Sequence, residues 1–124
     1  MPALFYIDDS RDDLFYVDYI RRRRKLALEM DCFLTTQAAL EALEEREAAG
    51  QELPQLLIVD LYMPLHGGLS LIRKLRGDSR FSHMRLGVCS GSDAEEDRSR
   101  ALAAGADFYI EKPIDLDELF LHWG

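Results

Sequence analysis

Leu56-Leu57-Ile58-Val59 runs without a polar residue straight into Asp60. A strand that is apolar at every position has no face for water, so it must be covered on both sides. That condition selects the centre of a parallel sheet with helices packed on each face. Ala3-Leu4-Phe5-Tyr6-Ile7 has the same form and ends at Asp8-Asp9. Met30 to Leu34 is a shorter, partly β-favouring run, Met84 to Cys89 ends at Ser90, and Phe108-Tyr109-Ile110 is followed by Lys112-Pro113.

Helical segments separate these runs. Ser10 is placed to cap a helix whose apolar side is read as Leu14, Phe15, Val17, Tyr19 and Ile20. Thr35 or Thr36 opens an alanine- and glutamate-rich helix that stops before Gly50, and a loop runs on to Pro54. Gly67-Gly68 breaks the chain ahead of a helix around Ser70 to Arg76. Ser92 with Glu95 reads as a capping box, with Gly105 ending that helix. Asp115 with Glu118 caps a short last helix. A strand, a helix and two short loops take roughly 22 to 26 residues, so five such units take about 110 to 130. The chain has 124, which predicts a single domain over residues 1–124 with five strand–helix units. Strict alternation implies an α/β doubly wound fold with right-handed crossovers and helices on both faces.

Composition excludes several functions. Fifteen basic against 23 acidic side chains leave a net charge of −8, which opposes direct binding to nucleic acid or to an anionic membrane surface. No apolar run approaches a membrane span, and no charged-then-apolar leader precedes the first strand, so a cytoplasmic protein is expected. Cys32 and Cys89 both fall in apolar stretches and read as buried thiols in a reducing compartment.

In a sheet of this kind the ligand site lies at the carboxyl ends of the strands. Those ends carry Asp8 and Asp9, Asp60, Ser90 and Lys112. Any one aspartate there is explained as a turn or capping residue. Three carboxylates at one edge, however, repel one another and call for a counterion. Mg²⁺ suits such a place, since it takes one or two carboxylates together with waters and a phosphate oxygen. A carboxylate nucleophile, a metal, a lysine and a hydroxyl donor are parts suited to handling a phosphoryl group.

The chain resembles the receiver domain of two-component response regulators over essentially its whole length. The resemblance is carried by Asp8-Asp9, by Val59-Asp60-Leu61-Tyr62-Met63-Pro64 with Gly67-Gly68-Leu69, by Ser90, and by Gly105-Ala106-Asp107-Phe108-Tyr109-Ile110-Glu111-Lys112-Pro113. Ser90 lies 30 residues and Lys112 52 residues beyond Asp60, spacings usual in the family.

The resemblance implies a flavodoxin-like fold with strand order 2-1-3-4-5. It implies that Asp60 is a phosphoacceptor, taking the group from a sensor histidine kinase or a histidine phosphotransfer protein. Asp9, Asp60 and the backbone carbonyl of Tyr62 would bind Mg²⁺, with Asp8 acting through a water. Lys112 and Ser90 would contact phosphoryl oxygens. Tyr109 would change rotamer as Ser90 moves, remodelling the face of helix four, strand five and helix five for a downstream target or a homodimer. Pro113 would follow a cis peptide bond.

Tyr62 and Ser92, each two residues past a site residue, fall where the family varies and tunes loss of the phosphoryl group, and a bulky Tyr62 would screen water. His66 would lie in the loop beside the site, whereas His83 and His122 lack metal-ligand spacing. Arg21-Arg22-Arg23-Arg24-Lys25 reads first as cations at a helix C-terminus, and second as a docking patch for the kinase. The long interval from Asp9 to Asp60 predicts an extended first or second helix. Two other readings are a Mg²⁺-dependent aspartyl-phosphate phosphohydrolase and a receiver cut from a regulator with an output domain. The hydrolase usually carries an acid two residues after its nucleophile, where this chain has Tyr62.

Overall fold

A computed structural model describes residues 3–63 and 67–121. Pro64, Leu65, His66 and His122 lie outside them, so nothing follows for the two histidines; His83 is exposed. The order is β1 (Ala3–Ile7), α1 (Arg11–Arg23), β2 (Glu29–Phe33), α2 (Thr36–Ala48), β3 (Leu56–Asp60), α3 (Gly67–Arg76), β4 (Arg85–Ser90), α4 (Glu95–Ala104), β5 (Phe108–Glu111) and α5 (Leu116–Leu121). All five strands are parallel in one sheet ordered β2-β1-β3-β4-β5, as expected.

The apolar runs divide by strand alternation between two cores. Phe5, Ile7, Leu57, Val59, Leu86 and Val88 pack with Ala39 and Leu43 of α2, Leu71, Ile72 and Leu75 of α3, and Ala101 and Ala104 of α4. Leu4, Tyr6, Leu56, Ile58, Phe108 and Ile110 pack with Leu14 and Val17 of α1 and with Leu116 and Leu119 of α5. Every residue of β3 is buried, as its composition requires. Gly87 is explained by β5: a Cβ there would come within 2.4 Å of the Phe108 ring, which occupies the space beside it.

Four local expectations are corrected. Only Leu14 and Val17 of α1 are buried, while Phe15 and Tyr19 lie four residues apart on an outward face and stack at 6.5 Å. Cys32 is exposed because β2 is the edge strand and most of its residues face outward; Cys89, in β4, is buried as expected. Gly67 and Gly68 form the first turn of α3 and do not precede it. The α4 N-cap is Ala94, without a side-chain hydrogen bond; Ser92 Oγ instead accepts the N–H of Ala94 at 3.1 Å. Ser10 and Thr35 do cap α1 and α2, accepting from the N–H groups of Asp13 and Ala38. Both helices are 13 residues long, against 10 for α3 and α4.

The basic run ends α1. Arg21 and Arg22 both pair with Asp18, and Arg24 reaches Asp117 in the first turn of α5 at 2.7 Å. No helix among the described residues is long and apolar enough to cross a membrane.

Candidate functional site

The sheet register assembles the site. Ile7 is level with Val59, so Asp8 and Asp9 follow β1 beside the end of β3, and Asp60 is level with Cys89, one residue before Ser90. Ser90 in turn pairs with Glu111, which delivers Lys112 to the same edge. Carboxylate oxygens of Asp8, Asp9 and Asp60 lie within 4.8 Å of one another.

The three acids differ in what already occupies them. Asp8 is fully buried, and its Oδ1 accepts the N–H of Ser10 at 3.0 Å. Its Oδ2 accepts from the Tyr6 hydroxyl at 2.9 Å and lies 2.7 Å from Lys112 Nζ. Both oxygens are therefore committed to protein donors. Asp9 is exposed, and among the described residues no hydrogen bond or ion pair engages its carboxylate. Asp60 is 7% exposed, with Oδ2 3.6 Å from Lys112 Nζ, beyond hydrogen-bonding distance.

Burial raises the Asp60 carboxyl above its ordinary value; Lys112 opposes that effect, and the charges of Asp8 and Asp9 add to it. Burial alone would lower Lys112, but hydrogen bonds to Asp13 and Asp8 outweigh it and hold the ammonium above its ordinary value. Burial likewise raises the Tyr6 phenol, which stays protonated as a donor to Asp8.

The chemistry of this donor set fits a hard divalent cation. Asp9 and Asp60 offer oxygens that no cation satisfies at hydrogen-bond distance, and Mg²⁺ needs few protein ligands because it keeps several waters. Asp8 already serves three protein donors, so it has less to offer a metal than Asp9 or Asp60.

Ser90 is buried at the end of β4, where its Oγ accepts the N–H of Ser92 at 3.2 Å. The carbonyl of the same Ser92 accepts from the Tyr109 hydroxyl, and Tyr109 is only 9% exposed. One residue of the β4–α4 loop thus joins the hydroxyl at the site to the aromatic side chain expected to switch. The Lys112-Pro113 peptide bond is cis.

Gly68 is shaped by the site as well. A Cβ on it would sit 2.1 Å from the Asp60 carbonyl oxygen, so only glycine lets α3 start this close to the end of β3.

Three contacts escape motif reading. Lys112 Nζ is 2.9 Å from Asp13 Oδ2 on α1. The Tyr62 hydroxyl is 2.8 Å from each carboxylate oxygen of Asp97 on α4. The Tyr6 phenol on Asp8 is hidden inside an apolar run, although its spacing of two places both side chains on one strand face.

A five-stranded parallel sheet of this order, with acids, a hydroxyl and a lysine at its carboxyl edge, defines a doubly wound α/β domain with its candidate site at that edge. The family model "Response regulator receiver domain" matches residues 5–123, and the chain belongs to that family. It is 38% identical over 100 residues to the KDP operon transcriptional regulatory protein KdpE of Escherichia coli, a match covering 81% of this chain and 43% of that protein. It is 34% identical over 110 residues to the response regulator protein PmrA of Pseudomonas aeruginosa, covering 89% and 47%. Among solved structures, a response regulator receiver protein from Pseudomonas putida superposes with a TM-score of 0.78 at 24% identity, covering 98% of this chain and 93% of that one. The chain thus spans about half the length of the curated relatives it matches.

Proposed function

We propose that Asp60 is the phosphoacceptor of a signalling switch, served by a sensor histidine kinase or a histidine phosphotransfer protein. The observation that carries this reading is the convergence of Asp8, Asp9 and Asp60 with Lys112 and Ser90 at one sheet edge. An Asp60 carboxylate oxygen attacks the phosphorus of a phosphohistidine, and the P–N bond breaks with its electron pair returning to the imidazole. Asp9, Asp60 and the Tyr62 carbonyl would hold Mg²⁺, which would supply positive charge against the acids and the incoming anion. Lys112 offers its ammonium to one phosphoryl oxygen and Ser90 its hydroxyl to another. As Ser90 turns to the phosphoryl group, its contact with the Ser92 N–H gives way and Tyr109 follows through the same loop.

Partner faces follow from exposure. Phe15, Tyr16 and Tyr19 on α1 stand outward, a surface suited to a kinase or phosphotransfer helix. Leu102 on α4 and Phe120 and Leu121 on α5 mark the face for a downstream protein or a second copy. A cytoplasmic location suits this role, and direct nucleic-acid contact does not suit a charge of −8.

The test is incubation with a small acyl phosphate and Mg²⁺, read by intact mass. Wild type should gain one phosphoryl group, and Asp60→Asn should gain none at that site. Equal labelling of both would overturn the assignment, and rapid multiple turnover of a phosphorylated metabolite would make the protein a hydrolase.

A further inference from the structure

Lys112 has three N–H donors and three carboxylates around it. Its nitrogen is 2.7 Å from Asp8 and 2.9 Å from Asp13, but 3.6 Å from Asp60. Asp13 lies on the first turn of α1, outside every motif that points to this site, and its own N–H is held by the Ser10 side chain. The two anchors of Lys112 are unequal. Asp8 is fully buried and tied down by Tyr6 and Ser10, whereas the Asp13 side chain is 44% exposed and has Lys112 as its one ion-pair partner among the described residues.

We propose that Asp13 is a positioning residue for Lys112: it holds the ammonium off Asp60 in the unphosphorylated protein and surrenders it to the incoming phosphoryl group. The inference rests on Asp60 being the phosphoacceptor. An ion pair with a solvated carboxylate is weak and exchangeable. A phosphoryl group beside Asp60 offers more charge and more acceptor oxygens than the Asp13 carboxylate, so it displaces Asp13 and leaves the buried Asp8 contact in place. Asp13 therefore sets a threshold that every phosphoryl donor must overcome.

The test measures affinity for beryllium trifluoride, a non-covalent phosphoryl analogue, at saturating Mg²⁺. Wild type is compared with Asp13→Asn and with Asp12→Asn, which removes an equal charge from the same exposed turn. Asp13→Asn should bind about three- to tenfold more tightly, the effect of releasing one partly solvated ion pair. Asp12→Asn should stay within about twofold of wild type. In the unliganded proteins, the Lys112 side-chain ammonium resonance should move in Asp13→Asn alone. Equal tightening by both variants, looser binding by Asp13→Asn, or an unmoved ammonium signal would overturn the role of Asp13. Failure of wild type to bind the analogue while the ammonium signal still moves would instead overturn the acceptor reading, and the proposed exchange with it.

Discussion

The phenol of Tyr62 sits 2.8 Å from both carboxylate oxygens of Asp97, joining the loop that follows the acceptor strand to the first turn of α4. Asp97 is itself 7% exposed, and its other charged contact, Arg100, is longer at 3.4 Å. The hydrogen bond from Tyr62 keeps the Asp97 carboxyl below its ordinary range and raises the phenol in turn. The α4 N-cap provides no side-chain hydrogen bond, so the Tyr62 phenol, which ties the Asp97 side chain, is a separate restraint on the first turn of α4.

Tyr62→Phe keeps the ring and removes that tie. Amide exchange in the first turn of α4 should rise roughly two- to fivefold, with the sheet unchanged. Exchange that is unaltered there would mean the Tyr62–Asp97 contact does not restrain α4.

Gly68→Ala tests the close approach of α3 to Asp60. The added methyl would meet the Asp60 carbonyl oxygen, which is backbone and cannot rotate away. Relief requires α3 or the end of β3 to shift, at a cost of about 1–3 kcal/mol. Urea denaturation should register that loss, and phosphoryl acceptance at Asp60 should fall with it. Unchanged stability together with unchanged acceptance would mean that α3 and the end of β3 accommodate the methyl without disturbing the site.

Asp60→Asn should behave differently at the same site. Because burial raises the Asp60 carboxyl, its ionised form opposes folding, and this penalty is fully present above the folded-state value. As pH falls below the unfolded value the carboxyl is protonated in both states and the penalty disappears. Without divalent cation, Asp60→Asn should therefore melt above wild type at pH 7, and the gap should close toward pH 3.5. Mg²⁺ should raise the melting temperature of wild type more than that of the variant, since it relieves the same repulsion. A gap that widens in acid would contradict the sign of the shift.

The strands and the site's five main residues were legible because both follow from local pattern. A short run apolar on both faces suits a covered strand, and parallel topology puts whatever follows it at one edge. Sequence did not reveal the partners that complete the site, since Lys112 meets Asp13 across 99 residues and Tyr62 meets Asp97 across 35. Such pairings exist only after the helices are placed. The orientation of α1 is hidden for a different reason. Hydrophobicity groups Phe15 and Tyr19 with Leu14 and Val17, although their spacing of four sets them on a face of their own. Cys32 departs from its apolar surroundings because an edge strand leaves residues exposed that a central strand would bury.

Tyr6→Phe isolates the hydroxyl that holds Asp8. The ring should stay packed between β1 and the α1–α5 core, so no cavity opens. Asp8 Oδ2 would keep Lys112 and lose its neutral donor at a fully buried position. Deleting one buried hydrogen bond to a charged acceptor costs about 1.5–3 kcal/mol, and chemical denaturation should show a loss of that order. A loss much smaller than 1 kcal/mol would mean that Lys112 and Ser10 alone satisfy Asp8.

The guanidinium of Arg76 closes three segments of the chain. Its Nε donates to the Gly105 carbonyl at 2.7 Å, and Nη1 donates to the carbonyls of Ser82 and Met84 at 2.9 and 2.7 Å. Nη2 pairs with Asp107 Oδ2 at 2.6 Å, and that same oxygen accepts the N–H of Leu86 at the start of β4. The end of α3, the entry to β4 and the turn into β5 thus converge on one planar donor set. Gly105, at φ +116°, is fitted to it, since a Cβ there would lie 2.6 Å from Arg76 Cγ. Lysine keeps the charge but has a single donor atom in place of the three nitrogens, so it cannot serve all four acceptors. Arg76→Lys should therefore cost about 1–2 kcal/mol and Arg76→Ala about 2–3 kcal/mol. Equal stability of Arg76→Lys and wild type would show that charge alone holds the junction. Recovery of Arg76→Ala by a second change at Asp107 would show that most of the cost lies in the carboxylate left behind.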